Sequence, residues 1–511
     1  MAMKGIVLLM LVIVFASCVS SRQPNYIFNQ KYSADQLQAD VVLLKKILEA
    51  NHPSLYWYTP KDSMDYHFNN TIGSIKDSLT ELQFRNKIAA VVSKIRCGHT
   101  SVRFSKAFNK ISENYRYPQF PLYFKVWGDS LVVLGSAFAR DSIFKRGVIV
   151  TSINGKTNRQ LIDGLFEVIS TDGYSDNYKN QVLSNNFPAW YKSVYGLDSF
   201  YTIHYIDAAG KESIATIKNF SPVKDSVKRK DTTVPRILPT IVMPTKKEIR
   251  RARLLGKRSM QIDTSINTAY MRITSFSGGR LRRFFRRSFK EIKRKQVPSL
   301  VIDLRENGGG NVELSSKLAK YLKDKPFKIG DTVAAINRTF TYRSHIKDWW
   351  MYWFPMNFFA HKKEDGRFHY THYENHFYQP KKNYHFGGNI YVIQGGITFS
   401  ASTMFISNMK GQKNVTITGE ETGGGFYGNT AMHLPFIELP NSHLRIGLPM
   451  YRLVIDSTRE KNGRGVIPDV WIQPSSIAIK KGTDIKLQTI RQMIIEKKKA
   501  VGTSSEMQIN F

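Results

Sequence analysis

Apolar residues recur at helical spacing in two segments near the start of the chain. Ser33 and Gln36 form a capping-box pattern before the first segment, and Thr80 and Gln83 repeat that pattern before the second. Apolar positions three or four residues apart follow on one face, at Leu37, Val41, Leu44 and Leu48 and at Phe84, Ile88, Val91 and Ile95. The pattern predicts an N-terminal helical unit over residues 33–116, which carries the turn Cys97-Gly98-His99-Thr100.

From about residue 117 the period changes to that of β-strands. Leu122, Phe124 and Val126 alternate with other residues, and a turn at Asn154-Gly155 precedes a predicted helix that begins at Asn158. We interpret residues 117–220 as a small β module that loosely resembles a PDZ domain, in which an extended peptide adds to a sheet edge. A purely structural β domain is the alternative. Residues 221–262, rich in Lys, Arg and Pro, are interpreted as a basic linker or insertion.

Residues 263–475 contain a repeated strand–turn–helix pattern. A buried-strand run at 300–304 leads into the glycine-rich turn 306–311 and a helix, and a second run at 389–393 leads into the turn 395–400 and another helix. Such units in series predict a mixed, mostly parallel sheet with helices on its faces. In such sheets, sites form at the carboxyl ends of the strands, which places both turns at one edge. We therefore expect a multidomain chain of the α/β and α+β classes.

The charge of the chain is strongly positive. Lys and Arg number 75 against 40 Asp and Glu, a net charge of +35, which favours anionic lipid, acidic peptides or nucleic acid as partners. No nucleic-acid-binding motif accompanies the charge, so we predict no nucleic-acid partner. A helix over Arg280–Lys295 has one apolar face and a basic remainder. We favour packing on the sheet with a solvated basic face, with docking on an anionic membrane as the alternative. A basic tail, residues 476–511, includes a predicted helix near Ile485–Lys499.

The first residues have the features of a targeting segment. Lys4 precedes a short apolar run from Ile6 to Phe15, which is too short to span a bilayer comfortably. The small residues before Cys18 resemble a bacterial lipobox, and this resemblance implies cleavage after residue 17 and lipidation of the Cys18 thiol. Residues 18–32 would then be a tether, and the protein would be anchored in the cell envelope, periplasmic or outer-membrane associated. An ordinary signal peptide, leaving an unanchored protein, is the alternative.

Ser400 is the candidate nucleophile. It lies where a glycine-rich turn meets a helix, so its hydroxyl can be exposed beside main-chain N–H groups that stabilise an anion. The glycines of the other turn, Gly308–Gly310, can offer further N–H groups because no side chain screens them. Donors from both turns would form an oxyanion hole, in which one donor contributes about 3–4 kcal/mol to transition-state stabilisation. A serine also requires a base.

Four motifs in these turns and after them resemble those of the C-terminal processing (tail-specific) serine peptidases. They are Leu304-Arg305-Glu306-Asn307-Gly308-Gly309-Gly310, Phe399-Ser400-Ala401-Ser402, Gly419-Glu420-Glu421-Thr422-Gly423-Gly424 and Gly465-Val466-Ile467-Pro468-Asp469. They occur in the family's order over most of residues 263–475, and the similarity extends to Asn51-His52-Pro53 and the PDZ-like module. The resemblance implies a catalytic domain of the ClpP/crotonase-like type and cleavage of peptide bonds.

The chain departs from the tail-specific branch at the position of its lysine base, where it has Gly425. The tricorn-like branch instead uses a histidine from a Gly-His-Thr motif, which Gly98-His99-Thr100 matches. We therefore assign His99 as the general base, since an imidazole can take and return the serine proton near neutral pH. Cys97 stands where the family usually has aspartate. We interpret it as a small residue in a packed turn rather than as a second nucleophile or redox switch.

The resemblance suggests the remaining site residues. Glu460 lies near the position of the tricorn-like glutamate and is the first candidate to orient the imidazole, with Asp456 and Glu421 as rivals. The N–H of Ala401 and that of Gly308 or Gly309 would form the oxyanion hole.

The predicted function is acyl-enzyme cleavage of extended peptides or protein tails in the cell envelope. No cofactor or metal is expected, since no HExxH or CxxC spacing occurs. The alternative is a catalytically silent lipoprotein on the same fold that binds peptides, lipid or envelope polymers. The membrane contact would be made through lipidated Cys18 and the basic surface, and the oligomeric state is left open.

Overall fold

A computed structural model describes residues 27, 29–113, 117–207, 209–222 and 244–509, with side chains as far as residue 500. The predicted signal peptide and the lipidation site Cys18 lie outside these residues. Within the described part of the chain, no helix combines the length and the apolar character needed to cross a membrane.

The N-terminal unit is helical, as predicted. Its main helices span Ala34–Asn51, Lys61–Gly73 and Glu81–Ser93, and a shorter helix, Lys106–Glu113, follows. Both capping boxes are formed, at Ser33 with Gln36 and at Thr80 with Gln83. The apolar positions that predicted the first and third helices are buried. A short ladder between Lys31–Tyr32 and Leu79–Thr80 closes the unit.

The β module is an antiparallel sheet with three helices. Its strands lie in the order Leu122–Trp127, Ser130–Ser136, Ile149–Ile153, Phe200–Ile206 and Glu212–Lys218, and Lys156–Thr157 pairs with the third. The helices are Asn158–Phe166, Asp176–Asn185 and Phe187–Tyr195. The helix Asp176–Asn185 covers one edge of the sheet, where the Ser184 hydroxyl accepts a 2.8 Å hydrogen bond from the Val126 N–H. Glu212–Lys218 forms the other edge, and no described strand pairs with its outer side.

The third unit, which contains residues 258–475, is built on a six-stranded central sheet. The strand order is Arg258–Asp263, Thr268–Ile273, Ser299–Asp303, Asn389–Gln394, Val415–Gly419 and Val470–Trp471. All neighbouring pairs are parallel except the first, which confirms the predicted mixed, mostly parallel sheet. One face carries the helices Leu281–Arg294, Val312–Ala319 and Ala401–Met409, and the C-terminal helix Ile485–Ile509 packs on the other through Ile490 and Ile494.

The basic linker was predicted to extend to residue 262, and its described part is different. Residues Lys246–Lys257 form a helix, and Arg258–Asp263 is the edge strand of the central sheet. The strand forms because Met260 and Ile262 pack on the core while the chain pairs with Thr268–Ile273 through a short hairpin. The helix Leu281–Arg294 buries its apolar face, which agrees with the interpretation of an amphipathic helix packed on the sheet.

Two smaller sheets complete the unit. The first contains His361–Lys362, Phe368–His369, Thr332–Ala335, Tyr451–Val454 and Gly428–Ala431, and the second contains Ile346–Lys347, Phe436–Glu438, Arg445–Gly447 and Val102–Arg103. Because Val102–Arg103 begins two residues after the Gly98-His99-Thr100 turn, its pairing with Arg445–Gly447 joins that turn to the third unit. The helices Trp349–Phe359, Thr371–Asn375 and Ser476–Lys481 lie in the connections.

Candidate active site

Ser400 lies at the carboxyl end of the central strand Asn389–Gln394, directly before the helix Ala401–Met409. Its backbone has φ +54° and ψ −125°, a conformation that costs a non-glycine residue about 1–3 kcal/mol. A sharp, strained strand-to-helix turn of this kind presents a serine hydroxyl at the edge of a sheet. The side chain is half-buried. The local geometry of Ser400 is therefore that of a nucleophile turn.

One main-chain and one side-chain hydrogen bond fix this nucleophile turn against the first glycine-rich turn. The Phe399 N–H donates to the Asn307 carbonyl at 3.2 Å, and the Thr398 hydroxyl donates to the Leu304 carbonyl at 2.9 Å. Gly309, at φ +102°, lies so close that a Cβ there would be 2.8 Å from both the Phe399 carbonyl oxygen and the Ser400 Cβ. Only glycine fits this approach, which brings the two turns together as the sequence predicted.

The N–H groups of the three predicted oxyanion-hole residues differ in their availability. The Gly309 N–H donates to the Asn307 Oδ1 at 2.9 Å. The N–H groups of Gly308 and Ala401 make no hydrogen bond within the described residues. Gly308 also borders open space, since a Cβ there would have no neighbour within 4 Å. Between Gly308 and Gly309, the two predicted alternatives, it is Gly308 that has the available N–H donor.

The base turn, Cys97–Thr100, packs against the nucleophile turn. The His99 ring contacts the Phe399 ring, with centroids 5.0 Å apart, and Phe399 is the residue before Ser400. Burial lowers the pKa of His99 to about 4, against the raising effect of the Thr430 carbonyl. The imidazole is therefore neutral at pH 7, the form that accepts a proton. Its Nδ1 is buried and has no hydrogen-bond partner among the described residues.

Two residues outside the predicted site hold this turn in place. The buried His52 Nε2 lies 2.8 Å from the Thr100 hydroxyl, and burial lowers the pKa of His52 to about 3. The Gly98 N–H donates to the Asp172 Oδ1 at 2.8 Å. His52 was visible in the sequence only as part of the Asn51-His52-Pro53 motif, and Asp172, which belongs to the β module, gave no signal.

Asp172 is the acid that lies beside His99. The Cys97 Sγ, a His99 ring nitrogen and an Asp172 carboxylate oxygen all lie within 4.8 Å of one another. Burial raises the pKa of Asp172 to about 7, while the N–H groups of Gly98 and Gly425 act in the opposite direction. The Asp172 Oδ2 is buried without a hydrogen-bond partner in the described part of the chain.

The three acids suggested from the sequence have other surroundings. Glu460 is exposed, and its only hydrogen bond within the described ranges comes from the Asn462 Nδ2, at 3.5 Å. Asp456 pairs with Arg459 at 3.1 Å. Glu421 is buried and accepts from Arg464 at 2.5 Å and from the Gly465 N–H at 2.7 Å. None of the three forms a hydrogen bond or ion pair with His99, so this conformation does not supply the acid that we expected at the imidazole.

Cys97 lies in a packed turn, and the position of Gly425 has no room for a side chain. Burial, together with the negative charge of Asp172, raises the pKa of the Cys97 thiol to about 12, so the thiol is protonated and a poor nucleophile at neutral pH. Its Sγ lies 3.8 Å from the Thr430 carbonyl. A Cβ at Gly425 would collide with the Gly428 carbonyl oxygen, so the position of the tail-specific lysine cannot hold a side chain in this loop.

The β module lies against the same loops. The Tyr178 ring contacts the Phe399 ring, with centroids 5.1 Å apart. The Asn177 side chain donates to the Glu421 carbonyl at 2.6 Å, and the Ser175 hydroxyl donates to the Thr422 carbonyl at 3.0 Å. All three units of the chain therefore meet at the nucleophile turn.

The chain is similar to a known family in sequence and to solved structures in fold. Residues 267–472 match the sequence model of Peptidase family S41, whereas no curated protein matches the chain. The structure is similar to that of mature CPAF, with a TM-score of 0.61 at 12% identity over 91% of this chain and 97% of that chain. For mature CPAF complexed with lactacystin, the TM-score is 0.59 at 12% identity over 92% and 98%. For the tricorn protease, it is 0.40 at 14% identity over 91% and 37%.

The matched segment includes both glycine-rich turns, Ser400 and the last of the four motifs. It is therefore the part of the chain in which the sequence motifs, the sheet topology and the family match all coincide. The domain formed by residues 267–472 belongs to peptidase family S41, the serine peptidase family of the C-terminal processing enzymes.

Proposed function

We propose that this chain cleaves extended peptides or protein tails in the cell envelope, with Ser400 as nucleophile and His99 as base. The observation that carries the proposal is the packing of the strained Ser400 turn, with the free N–H groups of Gly308 and Ala401 beside it, against the turn that carries the His99 imidazole. A hydroxyl, a neutral base and main-chain donors are the groups that acyl transfer from an amide requires.

The proposed reaction has two halves. His99 takes the Ser400 proton as the hydroxyl oxygen attacks the peptide carbonyl, and the N–H groups of Gly308 and Ala401 stabilise the resulting oxyanion. The C–N bond then breaks, and the imidazolium gives its proton to the leaving amine. Water, deprotonated by His99, hydrolyses the ester and regenerates Ser400.

We assign Asp172 as a positioning residue for this base. Its hydrogen bond from the Gly98 N–H fixes the base turn, and a carboxylate oxygen lies within 4.8 Å of a ring nitrogen of His99. An anionic carboxylate there would stabilise the imidazolium that forms during acyl transfer. Glu460 remains the candidate suggested by the family motif.

An extended substrate is supported by the open edge of the β module. The strand Glu212–Lys218 has an exposed, alternating side-chain pattern and one unpaired edge within the described residues. A peptide that added to this edge would be held by main-chain hydrogen bonds, which select for extended conformation rather than for sequence.

The envelope location is proposed from the lipobox-like sequence before Cys18. Intact-mass analysis of the mature chain, extracted from membranes, should give a chain that begins at Cys18 and carries acyl mass. An unmodified thiol at that position would remove the anchor from the proposal without affecting the peptidase assignment.

The peptidase proposal is tested with an unfolded protein substrate and mass spectrometry of the products. We expect the natural chain to cleave the substrate and to be labelled at Ser400 by a fluorophosphonate, and the Ser400→Ala variant to do neither. Ser402→Ala is the matched control, because Ser402 belongs to the same motif but its hydroxyl is buried. Labelling that failed in a folded natural chain would instead support the catalytically silent binding protein.

A further inference from the structure

We propose that Cys97, His99 and Asp172 form an inhibitory Zn²⁺ site at the base turn. The three side chains come from two different units of the chain, and their ligand atoms already lie within 4.8 Å of one another. The inhibitory part of the inference rests on the proposed role of His99, whereas the binding part does not.

Each of the three residues has a ligand atom to offer. The His99 Nδ1 and the Asp172 Oδ2 are buried without a hydrogen-bond partner in the described residues. Asp172 is only 3% exposed, and its other oxygen is occupied by the Gly98 N–H, so the vacant oxygen is held in a fixed orientation. The Cys97 Sγ makes a long 3.8 Å contact with the Thr430 carbonyl, and the hydrogen-bond donors of His99 and Thr100 near the sulfur favour its thiolate form.

The chemistry of the set fits zinc. Thiolate, imidazole and carboxylate are the protein ligands of Zn²⁺, with bond lengths of about 2.3, 2.0 and 2.1 Å. Ligand atoms around a tetrahedral ion are then about 3.3–3.6 Å apart, so a contraction of about 1 Å is sufficient. Mg²⁺, which prefers an octahedron of oxygen ligands, does not suit these three atoms.

The charges also balance. No described cation forms an ion pair with Asp172, and a buried carboxylate is costly without a compensating charge. On binding, the Cys97 thiol releases its proton to solvent and forms the Zn–S bond, and the fraction of Asp172 that is protonated also loses its proton to solvent. The neutral His99 and the Asp172 carboxylate then donate electron pairs. Two negative ligands then neutralise the dication. The lone pair of the His99 nitrogen that binds Zn²⁺ is no longer free to accept a proton from Ser400.

Direct binding is measured on the inactive Ser400→Ala chain by competition with a chromophoric zinc chelator. We expect the Ser400→Ala chain to bind one Zn²⁺. When Cys97→Ser or Asp172→Asn is added to this chain, the affinity for zinc should fall by more than about 100-fold. Loss of even an indirect partner of a metal ligand lowers metal affinity 10- to 100-fold. Equal affinity in all three chains would overturn the inference, whether or not the protein is a peptidase.

A surface histidine pair requires a matched control. His372 and His376 have stacked rings with centroids 5.1 Å apart and could bind zinc by themselves. We expect His372→Ala with His376→Ala to leave the base-turn affinity unchanged. If the tight binding disappears with this pair, the ion is bound at the surface and the inference is wrong.

One further measurement leaves the three proposed zinc ligands unchanged, so that it does not depend on the folding of their variants, and another tests the inhibitory effect. X-ray absorption of the zinc-loaded Cys18→Ser chain, in which Cys97 is the only thiol, should show one sulfur ligand, and a zinc shell without sulfur would contradict the site. Zn²⁺ should abolish peptide hydrolysis by the natural chain, with recovery on chelation. Tight binding of zinc at Cys97 with full activity retained would refute both the inhibition and the assignment of His99.

Discussion

The nucleophile turn and the base turn meet at one site but are fixed by different means. The turn 395–400 is held by main-chain hydrogen bonds, by the buried Thr398 hydroxyl and by a glycine contact that excludes any side chain. The base turn is held by side chains, through His52 and Asp172, and it retains buried polar atoms without partners. Sheet geometry therefore dictates where the hydroxyl lies, whereas the state of the base depends on a few replaceable side chains.

The largest expected effect comes from removing the base. His99→Ala should lower kcat by on the order of 10⁴-fold or more, because a serine without its base is a poor nucleophile and triad members act as a unit. Steady-state hydrolysis of a fluorogenic peptide measures the loss. Added imidazole should restore part of the activity if it enters the vacated space. A His99→Ala chain with full activity would show that the base turn does not act on Ser400.

The contact between the two glycine-rich turns gives the next largest effect. Gly309→Ala places a methyl group 2.8 Å from the nucleophile turn at φ +102°, so we expect a loss of about 2–4 kcal/mol in the free energy of unfolding and displacement of Ser400. Denaturant unfolding measures this. Gly308→Ala, which enters open space, is the control and should change stability by less than about 1 kcal/mol. Similar values for the two variants would contradict the proposed packing.

Comparison of Asp172→Asn with Glu460→Gln identifies the acid that stabilises the His99 imidazolium. We expect Asp172→Asn to lower kcat by about 100-fold with little change in KM, because the imidazolium loses its carboxylate while substrate contacts remain. Glu460 is exposed, so its variant should have the smaller effect. The reverse order would show that Glu460 moves to the imidazole in the working enzyme, as the family motif suggested.

The smallest effect tests the strain in the nucleophile turn. Ser400→Gly should be more stable than Ser400→Ala by about 1 kcal/mol, since glycine adopts φ +54° with little cost. At Ser402, inside the helix, the order should reverse, with alanine favoured by about 0.5–1 kcal/mol. Thermal unfolding of the four variants measures both differences, and the same sign at the two positions would rule out strain at Ser400.

The same contrast explains what could be predicted from the sequence. The strands before both turns and the Ser400 turn were evident because continuous apolar runs, glycines and a helix start are local patterns. The role of Asp172 was hidden because it depends on a contact between the β module and the helical unit. The strand Arg258–Asp263 was missed because only Met260 and Ile262 carry its apolar signal within a basic segment.

The central claim is that His99 activates Ser400 for acylation. It is tested most directly by the rate at which a slowly hydrolysed acyl donor adds its acyl group to Ser400, followed by intact mass and peptide mapping. We predict rapid, single acylation at Ser400 in the natural chain and acylation slower by on the order of 10⁴-fold in His99→Ala. Acylation at another residue, or at Ser400 with equal rates in both chains, would contradict the account.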